Sequence, residues 1–122
     1  MPKKILFIDD EPDLVMLMQT RLASHGYQVL SAFDGEEGLK MVQEEKPDLI
    51  LLDKIMPKMD GLEVCQRLKA DPKTKDIPVM IVSASGGMDL PERCLAAGAD
   101  DVIIKPFEAE DLLAKIKALL KE

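Results

Sequence analysis

The sequence predicts an α/β protein, a doubly wound parallel sheet of five strands and five helices. Short apolar or β-branched runs alternate five times with amphipathic stretches, the signature of a βα repeat. The first, third and fourth runs are close to continuously apolar, as strands covered by helices on both faces must be. Acidic residues close two of the runs and a lysine closes a third. In an open parallel sheet, ligands gather at that carboxyl edge.

Strand one is expected over 4–9, Lys4-Ile5-Leu6-Phe7-Ile8 followed by Asp9. Helix one, 12–25, has Pro12 near its start, where a fixed φ favours the first turn. It stops at Ser24-His25-Gly26, where a glycine accepts the left-handed cap. Strand two, 28–33, reads Gln28-Val29-Leu30-Ser31-Ala32-Phe33; its mixed character suits a sheet edge. Helix two follows over 35–45. Strand three, 48–53, runs through Leu49-Ile50-Leu51-Leu52 to Asp53. Helix three, 61–70, has Asp60 as its cap. Strand four, 77–83, ends at Ser83. Helix four, 90–97, is weak, with Pro91 in its first turn and Gly86-Gly87 before it, so a short, mobile element is expected. Strand five, 100–104, leads to Lys105. Helix five, 108–121, carries Leu112, Leu113, Ile116, Leu119 and Leu120 on one stripe.

A chain of 122 residues fits one domain spanning 1–122, long enough to bury a core without staples. A net charge of −7 argues against a nucleic-acid surface, which needs a basic stripe, and points to protein or cation partners. Cys65 and Cys94 have no CxxC spacing and read as small buried apolar residues. No apolar run approaches the roughly 20 residues of a membrane span, and Met1-Pro2-Lys3-Lys4 runs straight into a strand, so a cytoplasmic location is expected.

The acids carry the chemistry. Asp9-Asp10-Glu11 stands where a nucleotide-binding protein would place glycines, and three acids would repel a phosphate ligand. Taken alone, the triplet reads as the N-terminal cap of helix one. Asp53 shifts that balance, because carboxylates crowded at one sheet edge make sense around a hard divalent cation. A carboxylate held beside such a cation can attack phosphorus. Phosphoryl transfer then needs charge neutralisation, for which Lys105 is the second cation. Ser83 either donates to a phosphoryl oxygen or simply begins the next loop.

With Asp53-Lys54-Ile55-Met56-Pro57-Lys58-Met59-Asp60-Gly61, Ser83-Ala84, Gly98-Ala99-Asp100-Asp101 and Lys105-Pro106-Phe107 added to the acidic pair, the chain resembles a receiver domain of two-component response regulators, chemotaxis-regulator-like, along essentially its whole length. The resemblance implies a flavodoxin-like sheet in order 2-1-3-4-5, with helices one and five on one face and two to four on the other. It implies Asp53 as phosphoacceptor, taking a phosphoryl group from the histidine of a sensor kinase or phosphotransfer protein. It assigns magnesium (or manganese) to Asp10, Asp53 and the backbone carbonyl of Ile55, with Asp9 acting largely through water, and phosphoryl contacts to Ser83 and Lys105. It also implies a cis Lys105-Pro106 bond. The output would pass to a protein partner or a fused effector domain, as a monomer or a phosphorylation-dependent dimer.

Some positions depart from the family pattern. Val102 stands where many receivers carry an aromatic switch residue, so coupling is expected through the Ser83-to-Pro91 loop and helix four. Lys54, beside the acceptor, reads either as a contact for anions or a partner's acidic surface, or as a solvated lysine at a strand end. Ile55 and Ser85 are expected to leave attack by water moderately easy. His25 reads as a helix-end residue, and Met16, Met18, Met41, Met80 and Met88 as core fillers. The leading reading is a switch module, not an enzyme acting on an external substrate. A phosphatase of the haloacid-dehalogenase type would want an aspartate where Ile55 stands. A degenerate receiver that works without phosphorylation is the alternative function, and the full set of Asp9, Asp10, Asp53, Ser83 and Lys105 speaks against it.

Overall fold

The computed structural model describes residues 2–54, 56, 59–83 and 90–122, with the side chains of Leu90 and Pro91 left aside. The elements alternate as β1 (Lys4–Ile8), α1 (Pro12–Ser24), β2 (Gln28–Ala32), α2 (Gly35–Glu45), β3 (Leu49–Asp53), α3 (Gly61–Ala70), β4 (Val79–Ser83), α4 (Leu90–Ala96), β5 (Asp101–Ile104) and α5 (Ala109–Leu120). The five strands form one parallel sheet in the order β2-β1-β3-β4-β5. The mixed strand β2 lies at an edge, and the apolar strands β1, β3 and β4 lie inside.

Strand side chains alternate between faces, and two cores follow. Ile5, Phe7, Leu49, Leu51, Met80 and Val82 meet α1 and α5 through Met18, Leu22, Leu112 and Ile116. On the other face Leu6, Ile8, Ile50, Leu52, Val79 and Ile81 meet α2, α3 and α4 through Val42, Val64, Leu68 and Cys94. The expected helix stripe of α5 faces inward, with Leu113, Leu119 and Leu120 packed at its margin.

Several boundaries fall short of the sequence reading. The first strand stops at Ile8, because the Asp9 carboxylate turns to accept a hydrogen bond from the Glu11 amide at 2.9 Å. The fourth begins at Val79, since Ile77 N donates to Thr74 O in a turn and Pro78 has no amide to give. Strands two, three and five and helices one, four and five are each shorter by a residue at one or both ends. Glu11 occupies the N-cap of α1, so the acidic triplet supplies the cap residue, though without a side-chain cap bond. Gly26 does take the left-handed conformation after α1, with φ +91°, and Asp60 caps α3 through a 2.9 Å bond from Glu63 N. Met16 is two-thirds exposed and fills no core, whereas Met18 and Met80 are buried. Helix α4 has seven residues and is short, as expected. The positions Ile55, Ser85, Gly86-Gly87 and Met88 lie outside the described residues.

At the amino edge of the sheet a lysine ties α3 to the starts of β4 and β5. Lys69 Nζ meets Asp100 Oδ2 at 2.9 Å and donates to the carbonyls of Ile77 at 2.7 Å and Lys75 at 3.1 Å. The same Asp100 oxygen accepts from Val79 N at 2.8 Å. Both cysteines are fully buried and free, and burial pushes the Cys65 thiol up to about 11, the inert condition for sulfur.

Candidate phosphoryl and metal site

The opposite, carboxyl edge is built differently. Parallel register brings the ends of β1, β3, β4 and β5 side by side. Asp53 pairs with Val82, so Ser83 extends one residue beyond it, and Ser83 in turn pairs with Ile104, immediately before Lys105. Lys105 N donates to Ser83 O at 2.6 Å, which fixes where the lysine leaves the sheet. The Lys105-Pro106 peptide is cis.

Asp9 is fully buried after β1, anchored by its amide to Ala32 O at 3.0 Å. Burial holds its carboxyl above the usual carboxylate range. The Glu11 amide and the Lys105 ammonium pull the other way without offsetting burial. Lys105 Nζ lies 3.4 Å from Asp9 and 4.0 Å from Asp53, which is itself only 6 % exposed. Asp10 is exposed and completes a cluster with Asp9 and Asp53 in which one oxygen from each lies within 4.8 Å of the others.

Among the described residues one ammonium thus lies within 4.0 Å of two buried carboxylates, with the exposed Asp10 clustered beside them. The shortage of positive charge, the all-oxygen donors and the convergence of the oxygens fit a hard divalent cation. Of the residues expected here, Asp9, Asp10, Asp53 and Lys105 lie within a few ångströms of one another, and register places Ser83 beside them. The Ile55 carbonyl lies outside the described residues.

Gly61 is a contributor whose role the sequence left unexplained. A Cβ on it would collide with the backbone carbonyl of Asp53, so only glycine lets α3 begin directly against the acceptor strand. Gly61 N donates to Lys54 O at 2.8 Å and Lys54 N to Val82 O at 3.1 Å, which hold the β3 exit on both sides.

Residues 5–117 match the family model of the response regulator receiver domain. The chain belongs to that family. It is 44 % identical over 118 residues to the DNA-binding dual master transcriptional regulator RpaA of Synechocystis sp., an alignment covering 97 % of this chain and 49 % of RpaA. It is 43 % identical over 121 residues to the alkaline phosphatase synthesis transcriptional regulatory protein PhoP of Bacillus subtilis, covering 99 % and 50 %. A solved candidate response regulator from Chloroflexus aurantiacus superposes with a TM-score of 0.95 at 31 % identity, both chains covered in full. The receiver chain therefore spans about half the length of the curated relatives it matches. Among the described residues no helix is long and apolar enough to cross a membrane.

Proposed function

We propose that this receiver domain is the phosphoacceptor module of a two-component phosphorelay, with Asp53 as the acceptor. The observation that carries the reading is Asp53 itself, nearly buried at the end of β3, clustered with Asp9 and Asp10 and 4.0 Å from the Lys105 ammonium. In the proposed step an Asp53 carboxylate oxygen attacks the phosphorus of a phosphohistidine on a sensor kinase or phosphotransfer protein. The phosphorus–nitrogen bond breaks and the imidazole departs with its electron pair, taking a proton. Lys105 moves its ammonium from Asp9 towards the phosphoryl oxygens, a short displacement because it already stands between the two carboxylates. Ser83 offers its hydroxyl from the neighbouring strand end. Water later attacks the same phosphorus and restores the carboxylate.

Asp9, Asp10 and Asp53 would hold magnesium or manganese, with Ile55 as the further ligand implied by family resemblance. When bound, the ion supplies the counter-charge that one lysine cannot. The module acts on no external substrate; it switches the binding of a protein partner or of an effector domain fused to it. The DNA-binding description of RpaA and the half-length match to the curated relatives favour a fused effector, and the net charge of −7 argues that nucleic acid is not bound by the receiver itself.

Intact-mass spectrometry after incubation with acetyl phosphate and magnesium tests the reading. One phosphoryl adduct is expected in the wild type, and none in Asp53→Asn or with magnesium chelated. An adduct that persists in Asp53→Asn would overturn it.

A further inference from the structure

Lys54 plays no part in the chemistry just described, yet its placement is unusual. It follows Asp53 directly, is half-buried, and among the described residues its ammonium has no ion-pair or hydrogen-bond partner. Its backbone is pinned on both sides by Val82 O and Gly61 N, so only the side chain is left to reorient.

The alternation of β3 sets the direction of that side chain. Leu49 and Leu51 face α1 and α5, and Ile50 and Leu52 face α2 to α4. β3 ends at Asp53, but Lys54 N still donates to Val82 O on the neighbouring strand, and the alternation carried that one residue further puts Lys54 on the α4 side. The electrostatics agree: burial raises the pKa of the Cys94 thiol on α4, and the largest opposing influence is the positive charge of Lys54, ahead of neighbouring Arg93. Val102, packed against the same core from β5, is too small to act as a swinging aromatic.

We infer that Lys54 is the positioning residue through which α4 senses Asp53, its ammonium leaving the Cys94 side of the sheet for the phosphoryl oxygens once Asp53 is modified. The inference rests on Asp53 as the phosphoacceptor. A phosphoryl group brings about two negative charges to the adjacent residue. A half-buried cation with no partner among the described residues is drawn to them, and the positive charge it withdraws from beside Cys94 becomes a change in how α4 packs.

The test is pulsed alkylation of Cys94, separated from Cys65 by peptide mass mapping, with and without acetyl phosphate and magnesium. Wild type, Lys54→Met and Lys54→Arg are compared, and adduct is quantified on the same samples by intact mass. The readout is the ratio of Cys94 rates between the two states within each variant, which a merely structural role would leave alone. Phosphorylated wild type is expected to alter that rate by about fivefold or more through local opening or closing of α4. Lys54→Met should form the adduct with a ratio near one, and Lys54→Arg should recover most of the wild-type ratio. An adduct-bearing Lys54→Met with the wild-type ratio overturns the inference, as does an adduct-bearing wild type whose Cys94 does not respond. Absence of adduct in the wild type overturns the Asp53 reading, and this inference falls with it.

Discussion

Lys69 and Lys105 are sheltered to nearly the same degree, with side chains 16 % and 18 % exposed, at opposite edges of one sheet. Lys69 has three donors and three close acceptors, an aspartate and two carbonyls, all at 2.7–3.1 Å. Lys105 reaches Asp9 at 3.4 Å and Asp53 at 4.0 Å, and faces more negative charge than it can neutralise. Satisfied geometry marks the first as a structural clamp. Long contacts and surplus anions mark the second as part of a site organised for something the chain itself does not supply. A buried lysine is informative through how its partners are met, more than through its burial.

Removing each lysine should separate the two roles. Lys105→Met takes away the ammonium that lies within 4.0 Å of both Asp9 and Asp53, and phosphoryl adduct formation is expected to fall about 100-fold or more; an unchanged rate in a kinetic mass assay would break the distinction. Lys69→Met leaves two carbonyls and a partly exposed carboxylate to find other partners. Discounted for the exposure of Asp100, the loss is expected to be about 1–3 kcal/mol of folding stability by urea denaturation, with adduct formation retained in the folded fraction. A stability cost below measurement would remove the clamp from the account.

A smaller, pH-dependent effect sharpens the contrast. Burial raises the Asp9 carboxyl above its ordinary value of 3.8, so the folded state holds that proton more tightly than the unfolded one. The stability this lends is present below pH 3.8 and lost as pH rises through the folded pKa, which leaves an ionised Asp9 as a burden at neutral pH. Asp9→Asn keeps an acceptor for the Glu11 amide without the charge. It is expected to melt above the wild type at pH 7, by a margin that shrinks as pH falls towards 3.8. A margin independent of pH would mean that the charge of Asp9 is not what destabilises this edge.

Much of the carboxyl edge was legible in the sequence, because its residues terminate apolar runs and strand ends in a parallel sheet converge. Asp9, Asp53 and Lys105 needed only that rule to be placed together. The Asp60 cap and the edge position of β2 were equally local readings. The Lys69 clamp was not legible: two of its acceptors are backbone carbonyls, and its carboxylate partner lies 31 residues away. Gly61 could be recognised as the start of α3, but the close approach to the Asp53 carbonyl that requires glycine is a property of packing. Strand ends were overrun for a related reason, since Asp9 and Ile77 spend their polar groups on turns that apolar patterning does not register. Met16 shows the same limit, a long apolar residue that the α1 pattern leaves on the outside.

The central claim is that the carboxyl edge is short of positive charge and that a divalent cation relieves it. Its most direct test is the melting temperature as a function of magnesium concentration, in the wild type and in Asp10→Asn, whose exposed carboxylate can be neutralised without disturbing the core. Binding to the folded state alone should raise the wild-type melting temperature progressively with magnesium, following mass action, and leave Asp10→Asn almost unmoved. No rise in the wild type, or an equal rise in both proteins, would contradict the claim.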